Sequence, residues 1–402
     1  MLKIIPLGGL GEIGLNMMVF EYGDTLFVVD AGLMFPEDYM LGVDIVIPDF
    51  DYIRKHKHKL SGIVLTHAHE DHIGALPYLL REINVPVFGT PFTLGIVKHK
   101  LEEHGVLSTA SLHEVSSGEK LKLGDFKISQ TSIDGLTTDV NRFAWYGEKG
   151  VLALLSDSTN VEREGYTISD QEVGETLAKI AKDSKGRIIV ALFASSITRI
   201  QQIIDIAVAR GRKVVFDGRS IRTNVKIAKD LEYIRVPEGI EINIEQINGF
   251  PDDDILVITT GSQGEPMSAL ARMTTGRHKY LKIKKNDTVV LSSKFIPGNE
   301  KAISDLINNL YRRGAEVFYP KKRDQYLMSK RNKALNKTVI NIANIPKKAP
   351  HADPLSAPAQ PEHPHQNIDR SVRAAVSRLT SGISTHAFLE AWADWALHMS
   401  RA

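Results

Sequence analysis

Short apolar runs recur along the first 320 residues, each closed by a glycine, a proline or a polar turn. Phe27-Val28-Val29-Asp30 reads as a buried strand ending at Asp30-Ala31-Gly32. Gly62-Ile63-Val64-Leu65-Thr66 is a second and Val85-Pro86-Val87-Phe88-Gly89 a third, with helical spacing from Ala75 to Glu82 between them. Strands alternating with helices predict a layered α/β domain over residues 1–155. The pattern restarts over residues 156–320. Arg187 to Leu192, Lys213 to Phe216, Ile255 to Thr260 and Thr288 to Leu291 read as strands of a sheet that begins parallel. Helices are expected over Thr198 to Ala209 and over Ala302 to Arg313, the latter stopped by Gly314. Residues 321–366 are basic and then proline-rich, which is linker composition. Residues 367–402 return to helical periodicity around Trp392, Trp395 and Leu397.

Composition narrows the chemistry. The chain is 43% hydrophobic and 24% charged, enough apolar material for sizeable cores. Its net charge of +2 means that any nucleic-acid surface is local. There are no cysteines, which excludes disulfides, thiolate ligands and cysteine nucleophiles. A metal must then be held by His, Asp and Glu, which suits zinc, manganese, magnesium or iron in a hydrolytic role. Met1 to Pro6 is too short, and too soon followed by glycines, to form a signal peptide, and no apolar run has membrane-spanning length. The expected location is cytoplasmic, with no membrane partner.

One stretch carries the candidate chemistry: Thr66-His67-Ala68-His69-Glu70-Asp71-His72. His67 and His69 are alternate residues at a strand end and point to the same side. Asp71 and His72 follow where a turn leads into a helix. Such a set can serve two adjacent cations, which together lower the pKa of a bound water and neutralise a phosphoryl group. The bland alternative is a solvated histidine-rich loop. Asp30, ending a nearby strand, is expected to orient one of the imidazoles or simply to close its turn. His56 and His58 lie in the cationic run Arg54 to Lys59 and read as surface residues. His99, His104, His113 and His278 are isolated.

With these residues in view, the first 320 positions resemble ribonuclease J, of the β-CASP branch of the metallo-β-lactamase superfamily. Pro6-Leu7-Gly8-Gly9-Leu10-Gly11-Glu12-Ile13-Gly14 carries the resemblance, as do the His67 cluster with Ile73-Gly74-Ala75-Leu76-Pro77, Leu154-Leu155-Ser156-Asp157-Ser158-Thr159-Asn160, and Thr260-Gly261-Ser262-Gln263-Gly264-Glu265-Pro266. It implies an αββα metallo-β-lactamase sandwich joined to a β-CASP α/β domain. It further implies zinc-dependent endonuclease and 5′-to-3′ exonuclease action on single-stranded RNA with a 5′-monophosphate, in a homo-oligomer. His67, His69, Asp71 and His72 take the metal-ligand roles, with Asp71 and His72 also catalytic. Asp157 matches the first β-CASP acid. Ser195, Ser196, Ile197 and Thr198 match the loop that holds an RNA phosphate. Ser262 lies in a glycine-rich turn whose N–H groups serve either a phosphate or packing alone.

The chain also departs from that family. Gly124-Asp125-Phe126-Lys127 joins two stretches that the family separates, so the intervening histidine ligand is missing. Asp125 remains a candidate bridging ligand, without the spacing that would deliver it. Thr198 stands where the family has histidine, and the C-terminal ligand motifs do not follow Ala315-Glu316-Val317. The sandwich is therefore expected to be incomplete and the activity impaired. Residues 367–402 resemble instead the N-terminal region of polyhydroxyalkanoate synthases, whose cysteine nucleophile this chain lacks. A non-cleaving paralogue that binds RNA or partner subunits, and a small-molecule hydrolase on the same fold, are the alternatives. The basic stretches at Arg54 to Lys59, Lys98 to Lys100, Arg277 to Lys285 and Lys321 to Arg331 read as solvated faces more readily than as phosphate contacts.

Overall fold

The computed structural model describes residues 1–36, 40–116, 119–129, 140–156, 169–296 and 298–320. Among the described residues, 1–35 and 44–320 form one compact unit. The linker, the tail and Asp157 lie outside the described residues.

The first sheet has six strands in sequence order: β1 (Lys3–Gly8), β2 (Met17–Tyr22), β3 (Thr25–Val29), β4 (Leu60–Val64), β5 (Pro86–Gly89) and β6 (Ser111–Glu114). β1, β2 and β3 are antiparallel, and β3 to β6 run parallel. The parallel steps are made by helices α1 (Asp51–Lys55), α2 (Glu70–Ile73), α3 (Leu76–Glu82) and α4 (Pro91–Glu103). Strand alternation sorts the side chains. Val19, Val28, Ile63 and Val87 are fully buried in the core that also holds the helix residues Ile53, Leu76, Leu79 and Leu94. Phe27 and Val64, with Phe20, Val29 and Phe88, pack instead against Leu121, Leu123, Phe126 and Ile128 of a hairpin, β7 (Lys120–Leu123) and β8 (Phe126–Ser129). Phe27 meets Phe126 edge-on at 4.7 Å.

Among the described residues this two-stranded hairpin is all that forms the second β-layer of the sandwich. Helix α5 (Val140–Lys149) and the residues after it leave Phe143, Leu152, Leu154 and Leu155 more than half exposed.

The second sheet has the order β10-β11-β9-β12-β13 and is parallel throughout. Its strands are β9 (Ile188–Ala191), β10 (Lys213–Asp217), β11 (Ile255–Thr259), β12 (Thr288–Leu291) and β13 (Glu316–Phe318). Ile188 and Val190 face α6 (Asp170–Asp183), α7 (Ile197–Ala209) and α8 (Arg219–Asp230), while Ile189 and Ala191 face α9 (Ala269–Thr275) and α10 (Glu300–Arg312). β9 leads into α7 on one face and its neighbour β12 into α10 on the other. That divergence opens a crevice at the carboxyl ends of the strands, where α/β sheets bind ligands. Helix α4 joins the two sheets: Phe92 meets Tyr233 at 5.8 Å, and Gly95 lies against Ile227.

A buried polar knot fixes the inner end of the first sheet. Glu21 is 4% exposed and accepts from Tyr52 Oη at 2.5 Å, Lys59 Nζ at 3.1 Å and Lys3 Nζ at 3.2 Å. The Tyr52 hydrogen bond, opposed by burial and helped by the two lysines, lowers its carboxyl from 4.5 to about 2. A depressed carboxylate stabilises the fold above its ordinary pKa, and that stability is lost as pH falls through the folded value. Glu21→Gln is therefore expected to remove about 2 kcal/mol at neutral pH. It should also flatten the acid limb of a stability profile between pH 4.5 and 2; an unchanged limb would remove Glu21 from the account.

Candidate metal centre

The histidine cluster is built where β4 ends. Leu65 still bonds to Phe88 O, and Thr66 then turns the chain under Asp30. Asp30 has a left-handed backbone (φ 62°), a conformation that aspartate and asparagine tolerate. Its buried carboxylate accepts from Thr66 N at 2.8 Å, Thr66 Oγ1 at 2.8 Å and His72 Nδ1 at 2.7 Å. Asp30 thus sits against an imidazole of the cluster and also closes its turn.

The bonds continue in a consistent direction. Thr66 Oγ1 lies 2.9 Å from His67 Nδ1, and His67 Nε2 lies 3.0 Å from His69 Nδ1. With Nδ1 protonated on each ring, every contact has one donor and one acceptor. His67 and His72 rings lie 4.0 Å apart. Burial, then the neighbouring His72 and His69, pushes the His67 imidazole down to about 3. Burial also lowers His69, against the pull of Asp71. Burial works against the charge on His72 too, but the bond and charge of Asp30, with Asp71, leave it raised. His67 and His69 are thus neutral; the Nε2 lone pair of His67 accepts from His69 Nδ1, and that of His69 is left for a ligand.

Asn16 is the residue that sequence reasoning missed. It follows the glycine-rich Gly8 to Gly14 stretch, and its Nδ2 lies 3.1 Å from Asp71 Oδ2 and 3.2 Å from His72 Nε2. Its backbone N–H donates to Asp71 O at 3.1 Å. A neutral amide two residues past a motif carries no signal of its own; only the tight strand-to-loop geometry around it does.

Gly32 shows how closely these segments meet. A β-carbon there would lie 1.6 Å from Asp71 O and 2.9 Å from Asn16 N, both backbone atoms. Gly32→Ala is expected to cost about 3 kcal/mol or more, because neither segment can yield cheaply. Gly11→Ala, where nothing lies within 4 Å, should cost only about 1 kcal/mol of left-handed strain. Equal costs in denaturant titrations would contradict this packing.

Asp125 does not reach the cluster. Leu123 pairs with Phe126, so Gly124 and Asp125 form the tip of the β7–β8 hairpin. A β-carbon on Gly23 would lie 3.6 Å from Asp125 Oδ2, which places Asp125 at the β2–β3 turn. β3 runs from there toward Asp30, roughly 16 Å at 3.3 Å per residue. Asp125 is thus at the wrong end of the sheet. Lys100, read as part of a solvated face, instead pairs with Glu70 at 2.8 Å.

In the second sheet, Ser195 and Ser196 are half-buried at the β9 end of the crevice, with Thr198 exposed in the first turn of α7. Ile197 packs on the core rather than facing a ligand. Ser262 is 1% exposed, so its side chain is withdrawn from any substrate. Its neighbour Gln263 bonds Ser293 Oγ, Lys294 O and Ile296 N at 2.9–3.0 Å, which ties the glycine-rich turn to the segment after β12.

Comparison with known proteins places this geometry. Residues 10–151 match the metallo-β-lactamase superfamily and residues 185–310 the β-CASP domain of ribonuclease J. The chain is 43% identical to Ribonuclease J of Helicobacter pylori over 350 residues, covering 79% of this chain and 51% of that one. It is 42% identical to Ribonuclease J of Thermus thermophilus, covering 79% of this chain and 62% of that one. This region belongs to the ribonuclease J family. The chain spans about half to three-fifths of the length of these relatives. Moreover, 350 matched residues exceed 79% of a 402-residue chain, so the ribonuclease J of H. pylori holds residues inside the matched region that have no counterpart here. Residues 363–402 match the N-terminal region of poly-β-hydroxybutyrate polymerase. A crystal structure of a protein of unknown function from Enterococcus faecalis V583 shares the fold, with a TM-score of 0.54 and 12% identity, covering 79% of this chain and 87% of that one. No helix among the described residues is long and apolar enough to cross a membrane.

The metallo-β-lactamase match implies metal ions, and imidazole and carboxylate are suitable donors. A catalytic zinc takes about three protein ligands, and among the described residues no three His, Asp or Glu side chains gather around one point as an ion requires. His72 Nε2 and Asp71 Oδ2, 3.5 Å apart, are both held by Asn16. Among the described residues the donor set is not completed.

Proposed function

We propose that this chain is a ribonuclease J-type RNA hydrolase with a partly built site, which engages single-stranded RNA and cleaves it slowly. The observation that carries the reading is the His67–His72 turn held by Asp30 and Asn16 in a chain 43% identical to a ribonuclease J. In this reading His67, His69, Asp71 and His72 are the metal-facing residues, zinc is the ion, and Ser195, Ser196 and Thr198 hold a phosphate of the strand. A 5′-monophosphorylated end is the preferred substrate, and the chain self-associates as a homo-oligomer in the cytoplasm. A second reading, RNA binding without cleavage, is favoured by the position of Asp125 at the far end of the sheet.

The test is a labelled single-stranded RNA with a 5′-monophosphate, followed for binding and for cleavage with added zinc and with chelator. Slow cleavage that chelator abolishes supports the first reading. Binding with no cleavage under either condition supports the second. Absence of both would reject the RNA assignment.

A further inference from the structure

Arg199 carries a half-filled hydrogen-bonding fork at the mouth of the β9–β12 crevice. It stands in the first turn of α7, just past Ser195 and Ser196. Its Nη1 donates to Ser292 Oγ at 3.0 Å, beyond the end of β12, and its Nη2 pairs with Asp170 at the start of α6. Its Nε is buried and has no acceptor among the described residues. The Arg199 side chain is 14% exposed, whereas its aspartate partner is 67% exposed. Nε and Nη2 share the guanidinium edge that receives two parallel bonds from a carboxylate or phosphate. Asp170 fills only the Nη2 half. A tetrahedral phosphate brings an oxygen for each donor, and it removes the penalty of leaving a buried N–H unpaired.

We infer that Arg199 binds a backbone phosphate of single-stranded nucleic acid and that Asp170 is the resident anion it displaces. The inference rests on the RNA reading above and adds to it the residue that recognises the phosphate and an internal competitor that weakens binding.

The test uses the full chain with a short 5′-monophosphorylated, 3′-fluorescein-labelled single-stranded RNA, in chelator, by fluorescence anisotropy across a salt series. Asp170→Asn is expected to tighten binding about three- to tenfold by freeing the fork. Arg199→Gln is expected to weaken it about tenfold and to reduce the slope of log K against log salt by about 0.7. Arg199→Lys should keep the slope but lose several-fold in affinity, because lysine has no fork. A purely structural arginine would shift the melting midpoint and leave the salt slope alone. An Arg199→Gln slope equal to wild type, or an Asp170→Asn variant that binds no tighter, overturns the inference while the RNA reading stands. Failure of the wild-type chain to bind removes both. Inorganic phosphate that displaces the RNA more strongly than chloride of equal ionic strength would assign the fork to a free anion and overturn the nucleic-acid claim.

Discussion

Asp30→Ala is expected to lower the unfolding free energy by about 3–5 kcal/mol, which makes it one of the costliest single substitutions near the site. The carboxylate is 4% exposed and accepts three bonds of 2.7–2.8 Å. Alanine leaves the Thr66 N–H, the Thr66 hydroxyl and His72 Nδ1 without their acceptor. It also puts a side chain with no local hydrogen bond into a left-handed backbone. Asp30→Asn keeps the backbone preference and one acceptor oxygen, so about 1–2 kcal/mol should go with it. The two variants separate charge and hydrogen bonding from backbone strain.

The same pair predicts a pH dependence. His72 is raised by Asp30, so the charge-assisted part of the bond is fully present below the ordinary imidazole value of 6.5 and is lost as pH rises through the folded value. The gap between wild type and Asp30→Asn should therefore be widest in mild acid and shrink toward alkaline pH. Urea titrations across that range measure it. A gap that is constant with pH would mean that His72 is neutral throughout and that Asp30 acts only as a neutral-pair acceptor.

The sequence revealed the elements because their signals are local. Phe27 to Val29, Ile63 to Leu65 and Ile188 to Ala191 are uninterrupted apolar runs bounded by turns, and each became a strand within a residue or two. His67, His69 and His72 came together because a strand end and a short turn place them there without help from distant residues. What was not legible is long-range. Asp125 was read as a candidate ligand without a place, and the end of the sheet that its hairpin tip meets depends on Phe126 docking on Phe27 and Gly124 on Thr25. Ser262 was ambiguous because a glycine-rich turn has the same sequence whether it cradles a phosphate or packs under Gln263. Lys100 looked solvated until α4 brought it to Glu70. His278, read as isolated, is buried with Nε2 3.1 Å from Asp217 Oδ2, a partner sixty-one positions away that no local pattern announces.

Hydrolysis of a 5′-monophosphorylated RNA is expected to run about 10²–10⁴-fold below that of the Thermus thermophilus Ribonuclease J assayed beside it. Losing even an outer-shell partner of a metal ligand costs about 10–100-fold in affinity or activity. The resemblance implies a further histidine ligand that the sequence around Asp125 does not carry, and the candidate bridging acid itself lies at the β2–β3 turn, so two such factors are expected to multiply. The chemistry explains why the loss falls on catalysis. A hydroxide nucleophile near neutral pH depends on an ion that lowers the pKa of its bound water to about 7. An ion without its full set of ligands exchanges too readily to keep that water in place. Zinc uptake in equilibrium dialysis should accordingly fall below two ions per chain and be weak. RNA binding in chelator should persist, because the crevice at Ser195, Ser196 and Arg199 is built without the metal. Two tightly held ions per chain, with turnover within tenfold of the relative, would show that residues beyond the described ones complete the centre.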